Sequence, residues 1–171
     1  MRIGPAPTIR QLLRRLRNAA AQDAGSALIE LAVVLALVGI PLLVGTIYTA
    51  ELLFYDIEVS NAAHAGALYA MRSSTFASDT AGITSAAQAE ASDLGTALSV
   101  TPVIFYACSS AIDGTHYTTQ NAATTACTGG SNHPLQFVQV STSYAATPFA
   151  RIAGMQSTVQ LTSTSVMEVE E

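Results

Sequence analysis

Apolar and polar positions alternate in three different ways along this chain of 171 residues. Residues 31–50 form a solid apolar run without a single charged side chain. At 1.5 Å rise per residue, such a run covers roughly 30 Å as a helix, the thickness of a bilayer's hydrocarbon core. The pattern predicts one membrane span. A cleaved signal peptide has a shorter apolar region and small residues before its cut, and no good Ala-x-Ala site follows this run, so the helix is expected to be retained. Gly39, Pro41 and Gly45 interrupt it and mark where it can bend or admit a close neighbour, within what membrane helices tolerate.

Past the run, residues 55–72 keep apolar side chains at helical spacing (Ile57, Ala62, Ala65, Leu68, Tyr69), which predicts continuation of the same helix outside the membrane. A continuous helix over residues 26–72 would measure roughly 70 Å. Two helices with a break near Asp56 are the alternative. The small residues Ala62, Ala63, Ala65, Gly66, Ala67 and Ala70 suit close contact with a sheet or another helix. A second helix is predicted over about residues 81–98, with Ser78, Asp79 and Thr80 as N-cap choices and Pro102 ending any helical reading.

Period-two patterning follows. Residues 103–108 are apolar, β-branched and aromatic and read as a strand. Residues 109–133 are rich in Ser, Thr, Asn and Gly, with Gly129-Gly130 as the strongest turn signal and room for one short strand at 116–119. In 135–145, Val138, Val140, Thr142 and Tyr144 share one face against Gln139, Ser141 and Ser143. In 156–169, Val159, Leu161, Met167 and Val169 oppose Thr158, Gln160, Thr162, Thr164 and Glu168. The fold class expected is α+β: a long N-terminal transmembrane helix continuing outside the membrane, packed on a small antiparallel sheet of three or four strands with a second helix. The segments are a leader at 1–25, a transmembrane helix at 26–54, its extension at 55–72 and an exported α/β domain at 73–171.

Charge orients the span. There is no Lys, and five of the seven arginines (Arg2, Arg10, Arg14, Arg15, Arg17) precede the apolar run, with only Arg72 and Arg151 after it. The positive-inside rule keeps the leader cytoplasmic and exports everything after about residue 54. The expected location is the inner membrane, single-pass, with the C-terminal domain periplasmic or extracellular. That exported part is acidic, carrying Glu51, Asp56, Glu58, Asp79, Glu90, Asp93, Asp113, Glu168, Glu170 and Glu171 against two arginines, which argues against nucleic acid as a partner.

Both cysteines, Cys108 and Cys127, lie in the exported part and bracket the polar loop. In an oxidising compartment the pair predicts a disulfide, worth about 3 kcal/mol on the chain-entropy model for a loop of roughly 20 residues. A zinc site from Cys108, His116, Cys127 and His133 has no close Cys-x-x-Cys or His-x-x-x-His pair to anchor it, so no metal is expected. His64, His116 and His133 accompany no nucleophile elbow, P-loop or dinucleotide fingerprint, so the histidines read as surface and loop residues of a protein that is not an enzyme and needs no cofactor.

Glu30 is the exceptional residue. A carboxylate costs roughly 2.5 to 3.5 kcal/mol at the centre of a bilayer, so one just inside the apolar stretch needs a reason. Cleavage between Gly25 and Ser26 would make Ser26 the new amino terminus and place Glu30 about one helical turn from it. A glycine, then glutamate as fifth mature residue, with a basic leader before and an apolar helix after, resembles the processing site of type IV prepilins.

The mature chain as a whole resembles the TadE-like pseudopilins of tight-adherence (Flp pilus) systems. The resemblance is carried by Gly25-Ser-Ala-Leu-Ile-Glu30-Leu-Ala, by Pro41, by the alanine-rich run Asn61-Ala-Ala-His-Ala-Gly-Ala-Leu-Tyr-Ala70, and by the closing run Val159-Gln-Leu-Thr-Ser-Thr-Ser-Val-Met-Glu168. Leu31 stands where that family usually has an aromatic, and Leu68 where it often has arginine. The resemblance implies a minor pilin-like subunit supporting pilus biogenesis and adhesion. Its expected partners are a prepilin peptidase, other pilin-like subunits, the inner-membrane assembly platform and the membrane itself. The freed Ser26 amine would be largely cationic at neutral pH, and Glu30 of a neighbouring subunit would neutralise it in the apolar bundle. The main rival is an uncleaved signal-anchored envelope protein whose exported domain binds a partner or polysaccharide.

Overall fold

The computed structural model describes residues 25–112, 114–129, 131–149 and 156–170. The basic leader before Gly25, with its five arginines, and Arg151 lie outside the described residues. Helix α1 (Gly25–Ala70) runs without a break at Asp56, so the single-helix expectation holds and the two-helix alternative does not. Two compact units divide between Ile47 and Tyr48, and the second takes in the helix from Tyr48 onward.

In the first unit no residue of α1's apolar window is buried. Leu28, Ile29, Leu31, Leu35, Leu37, Ile40, Leu42 and Leu43 are each more than half exposed. A helix apolar all round and uncovered by its own chain is suited to hydrocarbon, and its length and composition fit a single membrane crossing. Inside it, Leu35–Gly39 forms a π-turn, closed by the Ile40 N–H bonding Leu35 O, one residue before Pro41. Proline cannot donate to the carbonyl four residues back and its ring crowds that turn, so a widened turn just ahead of it is a natural accommodation.

The second unit is built on a three-stranded antiparallel sheet in the order β1 (Ser99–Cys108), β2 (Pro134–Ala146), β3 (Val159–Glu168). The register is unbroken, from Ser99 opposite Ser143 to Cys108 opposite Pro134, and from Phe137 opposite Glu168 to Ala146 opposite Val159. β1 starts earlier than its apolar pattern suggests and contains Pro102. Tyr106 sends its N–H and accepts through its C=O outward, to Tyr117, at 2.8 Å each. Pro102, four residues earlier, shares that outward side of an edge strand, so its missing N–H takes nothing from the β1–β2 ladder.

Residues 48–70 of α1 lie on this sheet through a stripe of small side chains: Val59, Ala62, Ala63, Gly66, Ala67 and Ala70 are buried. The face expected from hydrophobicity is the wrong one in part, because Ile57 and Leu68 are 59% and 45% exposed. Close approach decides it. A Cβ on Gly66 would meet Val140 Cγ1 at 3.1 Å and Ile83 Cγ2 at 3.3 Å, so the helix backbone sits nearer the sheet than larger residues permit.

Beyond α1, the short α2 (Ser74–Ser78) is unanticipated, and α3 (Thr80–Glu90) is shorter than expected, giving way to a 3₁₀ turn at Gly95–Ala97. Asp79 is the N-cap of α3, accepting the Gly82 N–H at 2.9 Å. One core joins Ala67, Ala70, Ala77, Ile83, Val138, Val140 and Val169. A second joins Val59, Ala62, Ala87, Ala91, Leu94 and Leu98, with Tyr55, Tyr144 and Leu161 packed against it. The inward faces read from β2 and β3 therefore meet the helices as expected. The polar stretch 109–133 holds a further helix, α4 (Gln120–Ala126), capped by Thr119, where only loop was expected. Tyr117 makes a single bridge rather than a strand. Gly129 has φ +106, the left-handed turn conformation its sequence context suggests.

Candidate functional site

The residues predicted for processing, Gly25, Ser26 and Glu30, all fall within the described part of α1. Ser26 and Glu30 are both helical and exposed, and Gly25 is part-exposed. Four residues of helix separate Ser26 from Glu30, an axial rise of about 6 Å, so the two share a side of the helix. Around Glu30 the exposed neighbours are Leu28, Ile29, Leu31, Val33 and Val34, all apolar. A lone carboxylate in such surroundings demands a cationic or hydrogen-bonding partner once water is removed.

Further along, Gly39 would bring an added Cβ only to Leu35 Cδ2 at 3.8 Å, and Gly45 would meet nothing within 4 Å. Thr46 Oγ1 donates to Leu42 O at 2.7 Å and to Leu43 O at 3.0 Å, which satisfies its hydroxyl in an apolar setting.

The start of the second unit carries a cluster that the sequence did not single out. Tyr48 is buried and its hydroxyl donates to Gln156 O at 3.3 Å. Glu51 accepts from the Tyr55 hydroxyl through Oε1 at 3.5 Å and from the Phe149 N–H through Oε2 at 3.0 Å. The Tyr55 ring lies 5.5 Å from that of Tyr144 and 5.9 Å from that of Phe54. Desolvation first, and the nearby Glu51 carboxylate second, raise the Tyr55 hydroxyl above its ordinary pKa of 10.0. The available signal was that Glu51 is the first charge after the apolar run.

At the other end of the sheet, Cys108 and Cys127 form the expected disulfide, with Cα atoms 5.4 Å apart. Ala123 of α4 packs on it, flanked by Tyr106 and Tyr117. Oxidised sulfurs are no longer thiolates, which removes two of the four ligands of the zinc alternative, and no His/Cys/Asp/Glu cluster suited to a metal occurs among the described residues. Beside the disulfide a cavity of about 460 Å³ is lined by Ser109, Ser110, Gly129, Ser131 and Asn132. Asn132 Oδ1 accepts from Ser109 Oγ at 3.3 Å and from the Ser110 N–H at 3.2 Å, so its polarity serves to join the two loop strands.

The histidines stand apart. His64 is exposed on α1, His116 stacks on Phe105 at 4.3 Å, and His133 Nδ1 lies 2.9 Å from Ser131 O. Gly25, Ser26 and Glu30 thus lie on one described stretch of α1, and the structure joins Cys108 to Cys127. Compared with protein-family models, with curated proteins and with solved structures, the chain gives no match.

Proposed function

We propose that this chain is a pseudopilin of the tight-adherence type, cut between Gly25 and Ser26 by a prepilin peptidase and held in the inner membrane by α1. It acts as a minor, non-enzymatic subunit that supports assembly of a thin adhesive pilus. The observation that carries this reading is Glu30 standing about one helical turn past Ser26, among the exposed apolar side chains Leu28, Ile29, Leu31, Val33 and Val34. Cleavage creates the cation that such a carboxylate needs: the Ser26 amine of a neighbouring subunit pairs with Glu30, and both charges enter the helix bundle neutralised. A plain anchor has no use for a carboxylate at that position.

The second unit suits a pilin-like role in its layering, with the outer half of the long helix laid on an antiparallel sheet and closed at its far end by a disulfide. Its small-residue stripe leaves the larger side chains Leu53, Phe54, Ile57 and Leu68 outward, available to neighbouring subunits.

The test is N-terminal and intact-mass analysis of the protein from its own host's membranes, with and without the prepilin peptidase. A chain beginning at Ser26 only when the peptidase is present is the expected result. A leader retained in both backgrounds overturns the reading in favour of a signal-anchored envelope protein.

A further inference from the structure

Residues 31–50 carry no charge, and Glu51 is the first charged residue after Glu30. Twenty helical residues rise about 30 Å, so along the helix Glu51 falls at the outer boundary between hydrocarbon and water. The structure ties another segment to that level. Glu51 Oε2 accepts the Phe149 N–H at 3.0 Å, and Tyr48, one turn earlier, donates to Gln156 O at 3.3 Å. Both described ends of the β2–β3 connection are therefore hydrogen-bonded to α1 within a turn of the boundary.

Phe149 itself is 90% exposed, whereas the other exposed large apolar side chains of the second unit lie between 38% and 63%. Its main chain is held by Glu51 while its ring stays exposed. Aromatic rings concentrate at the headgroup level of membranes, where one side of the ring meets hydrocarbon and the other meets wet polar groups. Phe54, 49% exposed on α1 three residues past Glu51, places a second outward aromatic ring near this level, whereas Tyr48 and Tyr55 are turned into the second unit.

We propose that Phe149 is a second membrane contact, its ring inserted into the interfacial layer of the bilayer beside the span. The partner is the lipid surface, recognised by burial of the ring rather than by any headgroup chemistry. This inference rests on the membrane-anchor part of the proposed function and adds a second point of attachment for the exported unit. The Glu51–Phe149 hydrogen bond does the positioning, and its carboxylate stays at the wet side of the boundary.

The chain contains no tryptophan, so Phe149→Trp supplies a single tryptophan at an exposed position, excited selectively over the six tyrosines at the red edge of the absorption band. The full chain would be reconstituted into phosphatidylcholine–phosphatidylglycerol vesicles containing lipids brominated either near the glycerol or near the chain end. Leu42→Trp reports the span, and Ile112→Trp reports the disulfide end of the exported unit. The expected result is severalfold stronger quenching of Phe149→Trp than of Ile112→Trp by the shallow bromines, with emission shifted to shorter wavelength, while Leu42→Trp responds most to the deep ones. Phe149→Trp as unquenched as Ile112→Trp, with Leu42→Trp still quenched, overturns the proposal and leaves the anchor intact. Absence of quenching at Leu42→Trp as well brings down the anchor reading and this inference with it. Shielding of Phe149→Trp in native membranes but not in pure lipid also overturns it, and assigns the ring to a protein neighbour.

Discussion

Thr142 Oγ1 donates a hydrogen bond of 2.8 Å to the main-chain carbonyl of Val59, joining the middle of β2 to α1 across a dry contact in which Thr142 is 1% exposed. Apart from the Tyr48 hydroxyl, it is the only hydroxyl side chain among the buried residues described. Thr142→Val keeps the shape and removes the bond, while Val59 O retains its place in the helix ladder. The expected loss is about 1 kcal/mol, the net worth of a neutral hydrogen bond, read from denaturant unfolding of the full chain in detergent. An unchanged midpoint would show that the bond contributes nothing net.

Gly66 occupies the closest approach of helix to sheet, between Val140 and Ile83. Gly66→Val introduces three carbon atoms where one already crowds its neighbours. Overpacking of this kind costs about 1–3 kcal/mol, and the variant should also lose protection of the second unit against proteolysis. A variant as stable as the parent would mean that the helix can lift from the sheet freely.

Asp79 gathers the Gly82 N–H at 2.9 Å and the Tyr69 hydroxyl at 2.8 Å. The Gly82 bond first, and the Tyr69 bond second, hold the Asp79 carboxyl below its ordinary pKa of 3.8. A depressed folded-state value means stability that is present above the unfolded value and lost as pH falls through the folded one. Tyr69 is raised above 10.0, chiefly by the same hydrogen bond, so its contribution is present below that value and lost as pH rises through the folded one. Asp79→Asn keeps an N-cap acceptor and removes the acid-side titration, so thermal unfolding followed as pH falls from about 5 through the ordinary carboxylate value of 3.8 and below should lose slope in the variant. Equal slopes in both proteins would assign the acid sensitivity to other carboxylates.

The Cys108–Cys127 disulfide closes a loop with a sequence separation of 19, and the chain-entropy model gives about 3 kcal/mol for it. Reduction, or Cys127→Ser, should lower the unfolding midpoint by a corresponding amount and expose α4 to proteases first. Identical stability with and without reductant would count against any stabilising role.

Glu30→Ala should leave membrane insertion unchanged, because it removes a charge from an apolar run, and should sharply reduce incorporation beside sibling subunits. Fractionation and cross-linking from host membranes would measure both at once. Normal incorporation of the variant would remove Glu30 from the assembly step. Gly25→Leu, by contrast, should leave the leader attached.

Much of this protein was legible along the chain, for reasons of local physics. An uncharged run as long as a bilayer is thick set the long apolar helix, and the arginines before it and the carboxylate just inside it set the reading proposed for its beginning, since charge and length act without any tertiary context. Strict alternation over Val138, Val140, Thr142 and Tyr144 settled the inner face of β2, because a strand has only two faces. Tertiary structure decided what depends on distance between elements. It chose the alanine and glycine stripe over Ile57 and Leu68, because close backbone approach at Gly66 excludes bulk and hydrophobicity scales do not count volume. It admitted Pro102 to β1, because an edge strand has one side with no ladder to serve. It joined Phe149 to Glu51 across 98 residues of sequence, a contact no periodicity can announce, since only the folded β2–β3 connection brings that N–H within reach of the carboxylate.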